Sequence, residues 1–319
     1  MSDEEVAFDL LVIGDAVPDV VVGDVADEIA FGQAETLVER GVLTVGGSSA
    51  ITACGAARLG LRVAFVGAVG DDAAGRFELG ELSARGVDVS GCEVLPGAAT
   101  GLTVHLVRAG VARDRAMLTA VGCIDAVTVD RARPFAARSR HLHVGSFYLL
   151  PTLAAGLAGL FAEARAAGRT TSLDTQGDWR GRWRGGLRET LRETDVLLVN
   201  EDEARAVAAS LGRGAPSDDD ILGLLATLAD LGPLPVVKRG ARGAVALDAG
   251  AALRVTAPPA EPVDTIGAGD SFDAGLLYGR LRGWTIERSL ALGVACGTLS
   301  TRAAGGVAGQ PTLAEALEG

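Results

Sequence analysis

Short apolar runs alternate with longer segments of helical period along most of the chain, and this alternation limits the fold more than any other feature. Phe8–Ile13, Val63–Val69, His141–Val144, Thr170–Asp174, Val196–Val199 and Val236–Lys238 read as strands. Between them, Ser48–Leu59, Asp72–Arg85, Leu153–Ala167, Glu201–Leu211 and Ser217–Leu231 read as helices, the last opened by a solvated acidic run, Asp218-Asp219-Asp220. Strands joined through helices pair in parallel, and their helices cover both faces of the sheet. The sequence therefore predicts an α/β fold with a mostly parallel central sheet. A hairpin over Ala244–Val255 and two helices near Gly269–Arg282 and Ile286–Arg302 complete the pattern. Val87–Leu95, Leu102–Arg108 and Arg115–Ala120 break it, being short, alternating and separated by Gly and Pro. They read as antiparallel strands. They predict a small β lid drawn from parts of residues 16–44 and 87–120, carried on one domain spanning residues 1–319. Open edges on such a lid invite pairing, so a homodimer through the lid is expected.

The 319 residues are 48% hydrophobic, enough for a substantial core. A net charge of −12 speaks against nucleic acid or an anionic membrane as partner. An acidic protein that binds a polyphosphate must supply positive potential locally, from helix N-termini, backbone amides or a divalent metal. Cys54, Cys92, Cys123 and Cys296 are widely spaced and form no C-x-x-C, which fits a reducing, cytoplasmic setting. Met1–Glu5 is acidic and unlike a signal peptide, and no apolar run reaches the ~18 residues of a membrane span.

Several familiar sites are missing. Lys238 is the only lysine and lies outside any G-x-x-x-x-G-K-[ST] loop. Gly267-Ala268-Gly269 lacks the last glycine of the dinucleotide pattern, and neither H-E-x-x-H nor G-x-S-x-G occurs. His105, His141 and His143 fall in strands and read as ordinary strand residues rather than metal ligands.

The run Asp264-Thr265-Ile266-Gly267-Ala268-Gly269-Asp270 is different. Its small residues let consecutive backbone N–H groups approach a ligand. Phe272, Ala274, Leu276, Leu277 and Leu281 follow at near-helical spacing, so the run is the mouth of a helix. The first N–H groups of a helix are unpaired and carry partial positive charge, which makes an anion hole. Asp270 sits beside it. A carboxylate would repel a phosphate held there, but it makes sense as a base for an attacking hydroxyl. An aspartate that merely caps the helix is the plainer alternative.

Through Phe272, this run matches D-T-x-G-A-G-D-x-F, the signature of the ribokinase (PfkB) family of carbohydrate and nucleoside kinases, and the match continues through Asp273-Ala274-Gly275. Further resemblances lie in Gly46-Gly47, in Gly67-Ala68-Val69-Gly70-Asp71-Asp72 with Gly75, in Asn200-Glu201-Asp202-Glu203, in Lys238–Gly243, in Gly305-Gly306 and in Pro311-Thr312. The resemblance implies a ribokinase-like three-layer fold with a β lid. It also implies transfer of a phosphoryl group from ATP to a hydroxyl of a sugar-like acceptor. Asp270 would be the base, with the Gly267, Ala268 and Gly269 amides as the anion hole. Asn200 and Glu203 would sit near Mg2+ and phosphate through water, although the same pair reads as a helix capping box. Lys238, Gly240, Gly243 and Thr265 would flank the nucleotide. Asp264 would bind K+, with carbonyls near Ile266, Ser300 and Ala303, or else only start the turn before the helix. On the acceptor side stand Asp19, Gly46, Gly47, Ser48 and Ile51.

Two positions depart from the family. Ile51 stands where an Asn usually touches the acceptor, and Gly122-Cys123-Ile124 replaces a Gly-Ala-Asn. Burying an unpaired hydroxyl against an aliphatic chain costs roughly 1–3 kcal/mol. Ser48, Ser49 and Asp125 are the substitutes nearby. A nucleoside acceptor would want an apolar platform, for which Ile51, Ile124, Phe147 and Tyr148 are candidates. A phosphorylated acceptor would want convergent arginines. Arg108, Arg113 and Arg115, or Arg180, Arg182 and Arg184, could supply them.

Overall fold

The computed structural model describes residues 6–318 apart from 27, 30, 109–113, 182, 184 and 214–219. Arg113, Arg182, Arg184 and the start of the helix expected from Ser217, with Asp218 and Asp219, lie outside the described residues.

Nine strands form the central sheet. From one edge they run Ala251–Val255, Ala244–Asp248, Leu234–Lys238, Val196–Asn200, Thr170–Asp174, Ser139–Val144, Phe8–Ile13, Val63–Val66 and Val87–Asp88. All neighbours pair in parallel except around Ala244–Asp248, which runs against both of its partners. Interior parallel strands are covered twice, which is why Phe8–Ile13 is apolar at nearly every position and buried throughout.

The two faces carry separate cores. Leu11, Ile13, Leu142, Val144, Leu173 and Leu197 point to one, where they meet Leu157 and Phe161 of the helix Pro151–Ala166 and Leu224 of the helix Ile221–Ala229. Leu10, Val12, Phe65, Leu198 and Val236 point to the other, against Ala53 of the helix Ser48–Arg58, Leu276 of Ala268–Leu281 and Leu290 of Ile286–Ser300. The result is the three-layer α/β arrangement expected.

A second sheet of four strands has the order Arg40–Thr44, Asp19–Val25, Leu102–Arg108, Arg115–Ala120. Its outer pairs are antiparallel, but Asp19–Val25 and Leu102–Arg108 pair in parallel. The expectation for Val87–Leu95 is corrected. Val87–Asp88 joins the edge of the central sheet, and Glu93–Leu95 pairs in parallel with Ala68–Gly70. Alternation marks a half-buried strand but carries no information on its partner. The strand expected over Val63–Val69 is split at Gly67 into Val63–Val66 and Ala68–Gly70. Three short helices escaped the sequence reading: Val129–Ala136, which holds Pro134 in its interior, Leu187–Arg192 and Leu313–Glu318. Each has too few turns to show a period.

Candidate active site

Three adjacent parallel strands end on polar residues: Thr170–Asp174 on Asp174, Val196–Asn200 on Asn200, and Leu234–Lys238 on Lys238. Open α/β sheets bind ligands at these carboxyl ends. Here the ends face the first turn of Ala268–Leu281, and a cavity of about 630 Å³ opens between them. Its lining brings together Asn200, Glu203, Lys238, Gly240, Gly243, Thr265, Gly267, Ala268, Gly269 and Asp270, all expected on the nucleotide side.

Gly267 precedes the helix with φ 70°, and a Cβ there would stand 2.7 Å from the Gly306 Cα. Only glycine tolerates that left-handed, crowded position. The turn leaves the first helix amides facing the cavity. Asp270 lies in this first turn and is 7% exposed. The Ser48 hydroxyl donates to Asp270 Oδ1, and Gln176 Nε2 donates to the same oxygen at 3.2 Å. Burial pushes the Asp270 carboxyl up to about 7, partly opposed by the Ser48 bond and the charge of Lys238. Ser48 itself opens a helix whose first amides, on Ser48 and Ser49, donate to the Asp15 carboxylate at 3.0 Å each.

Behind Asp270 lies a buried charge network. Lys238 Nζ donates to Asp174 Oδ2 at 2.7 Å and to Asp273 at 3.1 and 3.2 Å. It also stands beside the anion hole, 3.4 Å from where a side chain on Gly269 would begin. Burial disfavours the ammonium, but Asp174 and Asp273 outweigh it and push its pKa up. Two carboxylates share this one cation. Burial would raise Asp174, yet Lys238 and bonds from Asp273 and Gln176 hold it below the usual range. Asp273 takes the opposite part: burial pushes it well up, with Lys238 opposing and the charge of Asp174 adding to it. Asp174, Asp270 and Asp273 lie close enough to grip a metal ion, but the Lys238 ammonium already meets the charge of Asp174 and Asp273.

Asn200 and Glu203 take the capping role. They close a capping box, with Glu203 N donating to Asn200 Oδ1 and Asn200 N to Glu203 Oε2, each at 2.9 Å. Both also line the cavity. Burial first, and the charge of Asp174 second, push Glu203 up to about 7. Thr265 Oγ1 accepts from Arg115 Nη1 at 2.9 Å, across from the smaller sheet. Asp264 accepts from Ile266 N and Gly305 N, both at 2.9 Å. Those bonds fix the turn before the helix, and the Ser300 carbonyl packs against Gly309.

The acceptor-side residues lie beyond Asp270, outside this cavity. Asp19 opens its strand, buried 3.2 Å from His105 Nε2, and burial pushes its carboxyl up. Gly46 is pressed against it: a Cβ would meet the carboxylate at 2.2 Å. Gly47 and Ser48 follow at the helix start. Ile51 is 3% exposed, and its side chain packs against Gly267 and Gly306 from below. Ile51 therefore packs beneath the glycines of the helix mouth. His141 and His143 both bond the Ser172 hydroxyl, at 2.7 and 2.8 Å. Burial pushes them down to about 3 and about 4, so both are neutral core residues.

The model of the pfkB family carbohydrate kinases matches residues 7–313. The chain belongs to that family. A fructokinase of Klebsiella pneumoniae is 31% identical over 275 residues, covering 83% of this chain and 88% of its own. The solved adenosine kinase from Sinorhizobium meliloti is 26% identical and superposes with a TM-score of 0.82 over 98% of this chain and 99% of that one. An Arabidopsis thaliana ribokinase solved with ribose and ATP shares the fold at 22% identity and a TM-score of 0.83, over 98% of each chain.

This pfkB chain places several residues at the site that sequence reasoning missed. Asp174 ends a parallel strand beside Asn200 and Lys238, so its position was open to inference from topology. Asp273 lies one turn along from Asp270 on the same helix face. Asp15 and Gln176 arrive from loops, and no local pattern marks them. Arg115, considered in the sequence only for a phosphorylated acceptor, arrives from the second sheet.

Proposed function

We propose that this ATP-dependent kinase of the pfkB family transfers the γ-phosphoryl group to a hydroxymethyl group of a sugar or sugar derivative. The observation that carries the reading is Asp270: a buried carboxylate at the mouth of a helix, titrating at about 7 and held by Ser48 and Gln176. A base is most effective when its pKa is near the working pH. The acceptor oxygen attacks the γ-phosphorus, the bond to the bridging oxygen breaks toward ADP, and the hydroxyl proton passes to Asp270. The amides of Gly267, Ala268 and Gly269 steady the charge on the transferring group.

Glu203 fits a magnesium ion held through water, since it lines the cavity and leaves one oxygen outside the capping box. When bound, the ion would neutralise phosphate charge. K+ at Asp264, Ile266, Ser300 and Ala303 is kept as a proposal; both Asp264 oxygens already serve backbone amides. The smaller sheet would act as the lid that excludes water, and its open edges would carry a homodimer. Among the described residues, no helix is long and apolar enough to cross a membrane.

A sugar is favoured over a nucleoside. The Klebsiella relative is named a fructokinase. Of the four side chains expected as a platform for a base, Ile51, Ile124 and Phe147 are buried in packing at 3%, 1% and 1% exposure, and Tyr148 is half-buried. The test is an ADP-release screen over sugars, sugar acids, sugar phosphates and nucleosides. Asp270→Asn should lower kcat by about 10²–10⁴-fold on the best acceptor. Turnover within about threefold of wild type would remove Asp270 as the base, and activity confined to nucleosides would overturn the acceptor class.

A further inference from the structure

Arg115 opens the strand Arg115–Ala120 at the edge of the smaller sheet, paired with Val107. Its side chain leaves that sheet and lines the cavity of the larger one, beside Thr265, Gly267 and Asp270. One guanidinium nitrogen, Nη1, donates to Thr265 Oγ1 at 2.9 Å, while the buried Nε has no protein partner. The cavity has a second cation, Lys238, but that charge is spent on Asp174 and Asp273. Among the described residues Arg115 has no carboxylate partner, although its charge reaches Asp19. A guanidinium in the cavity lining, with a donor to spare, is placed to reach a phosphoryl group held at the helix mouth. It is also the positive charge that a chain of net charge −12 otherwise lacks there.

We propose that Arg115 is a catalytic residue delivered by the smaller sheet, binding the equatorial oxygens of the phosphoryl group in flight while Thr265 holds its guanidinium in place. This rests on the kinase reading above. Arg115 exchanges no proton: the acceptor proton goes to Asp270 and the bond electrons to ADP. Its contribution is charge stabilisation that exists only when the smaller sheet is down, which ties transfer to an enclosed site.

The test needs no identified acceptor. MgADP binding is titrated calorimetrically with and without aluminium fluoride, a mimic of the transferring group, on wild type, Arg115→Met and Arg115→Lys. Wild type should bind MgADP at least about tenfold more tightly when the fluoride is present. Arg115→Met should lose the tightening, and a far-UV circular dichroism spectrum equal to that of wild type reports an intact fold. Arg115→Lys keeps the stem and the charge and guards against a misfolded Met variant; it should recover only part of the effect, because an ammonium cannot present a planar fork. Equal tightening in wild type and either variant overturns the proposal and leaves the kinase reading standing. A wild type that binds no MgADP overturns the kinase reading itself.

Discussion

Lys238 and Glu78 are both buried beside the ends of the central sheet, yet their surroundings differ. Lys238 has two carboxylates within 3.2 Å, and the network extends through Gln176 to Asp270. Glu78 is 0% exposed, and neither of its oxygens has a protein partner of hydrogen-bond geometry. Burial pushes its carboxyl well up, Asp19 and Asp15 add to this, and the Gly46 amide only partly offsets them. The nucleotide end thus keeps its charges by pairing them. Around Glu78 and Asp19, burial instead pushes the carboxyls up. An enzyme handling a polyanion needs the first, because its ions must persist at every pH where it works. The second suits contacts with neutral groups.

Lys238→Met attacks the paired end and should have the largest effect on stability. Removing one partner from a buried ion pair typically costs about 3–5 kcal/mol, because the other charge is left unpaired. Denaturant unfolding of the variant measures the loss, and adding Asp174→Asn should restore part of it. A variant as stable as wild type would show that the pairing does not hold this end together.

Asp270 sits between the two regimes and should show it in two pH profiles. With its carboxyl near 7, kcat/KM should rise with pH through about 7 and level off above. Stability runs the other way. A carboxyl raised in the folded state contributes stability that is complete below its ordinary value of 3.8 and is lost as pH rises through about 7. Asp270→Asn, which cannot ionise, should therefore melt about 2–4 °C above wild type at pH 8 and match it at pH 4. An equal melting temperature at pH 8 would mean that Asp270 ionises in the folded protein without penalty.

The sequence was most informative where function and backbone geometry coincide. Gly267, Gly269 and Asp270 sit together because the helix mouth requires small residues and a polar first turn, and both leave a local trace. Asn200 and Glu203 are legible for the same reason, as a capping box. The acceptor end left no such trace. Ile51 read as an aliphatic wall facing the acceptor, and it fills the space under Gly267 and Gly306, contacts more than 200 residues apart in the chain. Gln176 reaches Asp270 from a left-handed position with φ 51°. Such a position has no sequence marker when the residue is not Gly, Asn or Asp. The mixed pairing of the smaller sheet was hidden as well, because alternation cannot distinguish a parallel neighbour from an antiparallel one.

Glu78→Gln tests the unpaired end and should have the smallest effect. Glutamine has the shape of a protonated glutamate, so at pH 4 the variant should melt within about 1 °C of wild type. The difference should appear on the alkaline side. In wild type, the stability owed to a raised carboxyl is fully present below its ordinary value of 4.5 and is lost as pH climbs through the raised one. The variant has nothing there to ionise, so its melting temperature should fall less than the wild type's as pH rises from 4.5. Parallel curves would mean that Glu78 ionises in the folded protein without penalty, and the contrast with Lys238 would then be one of degree.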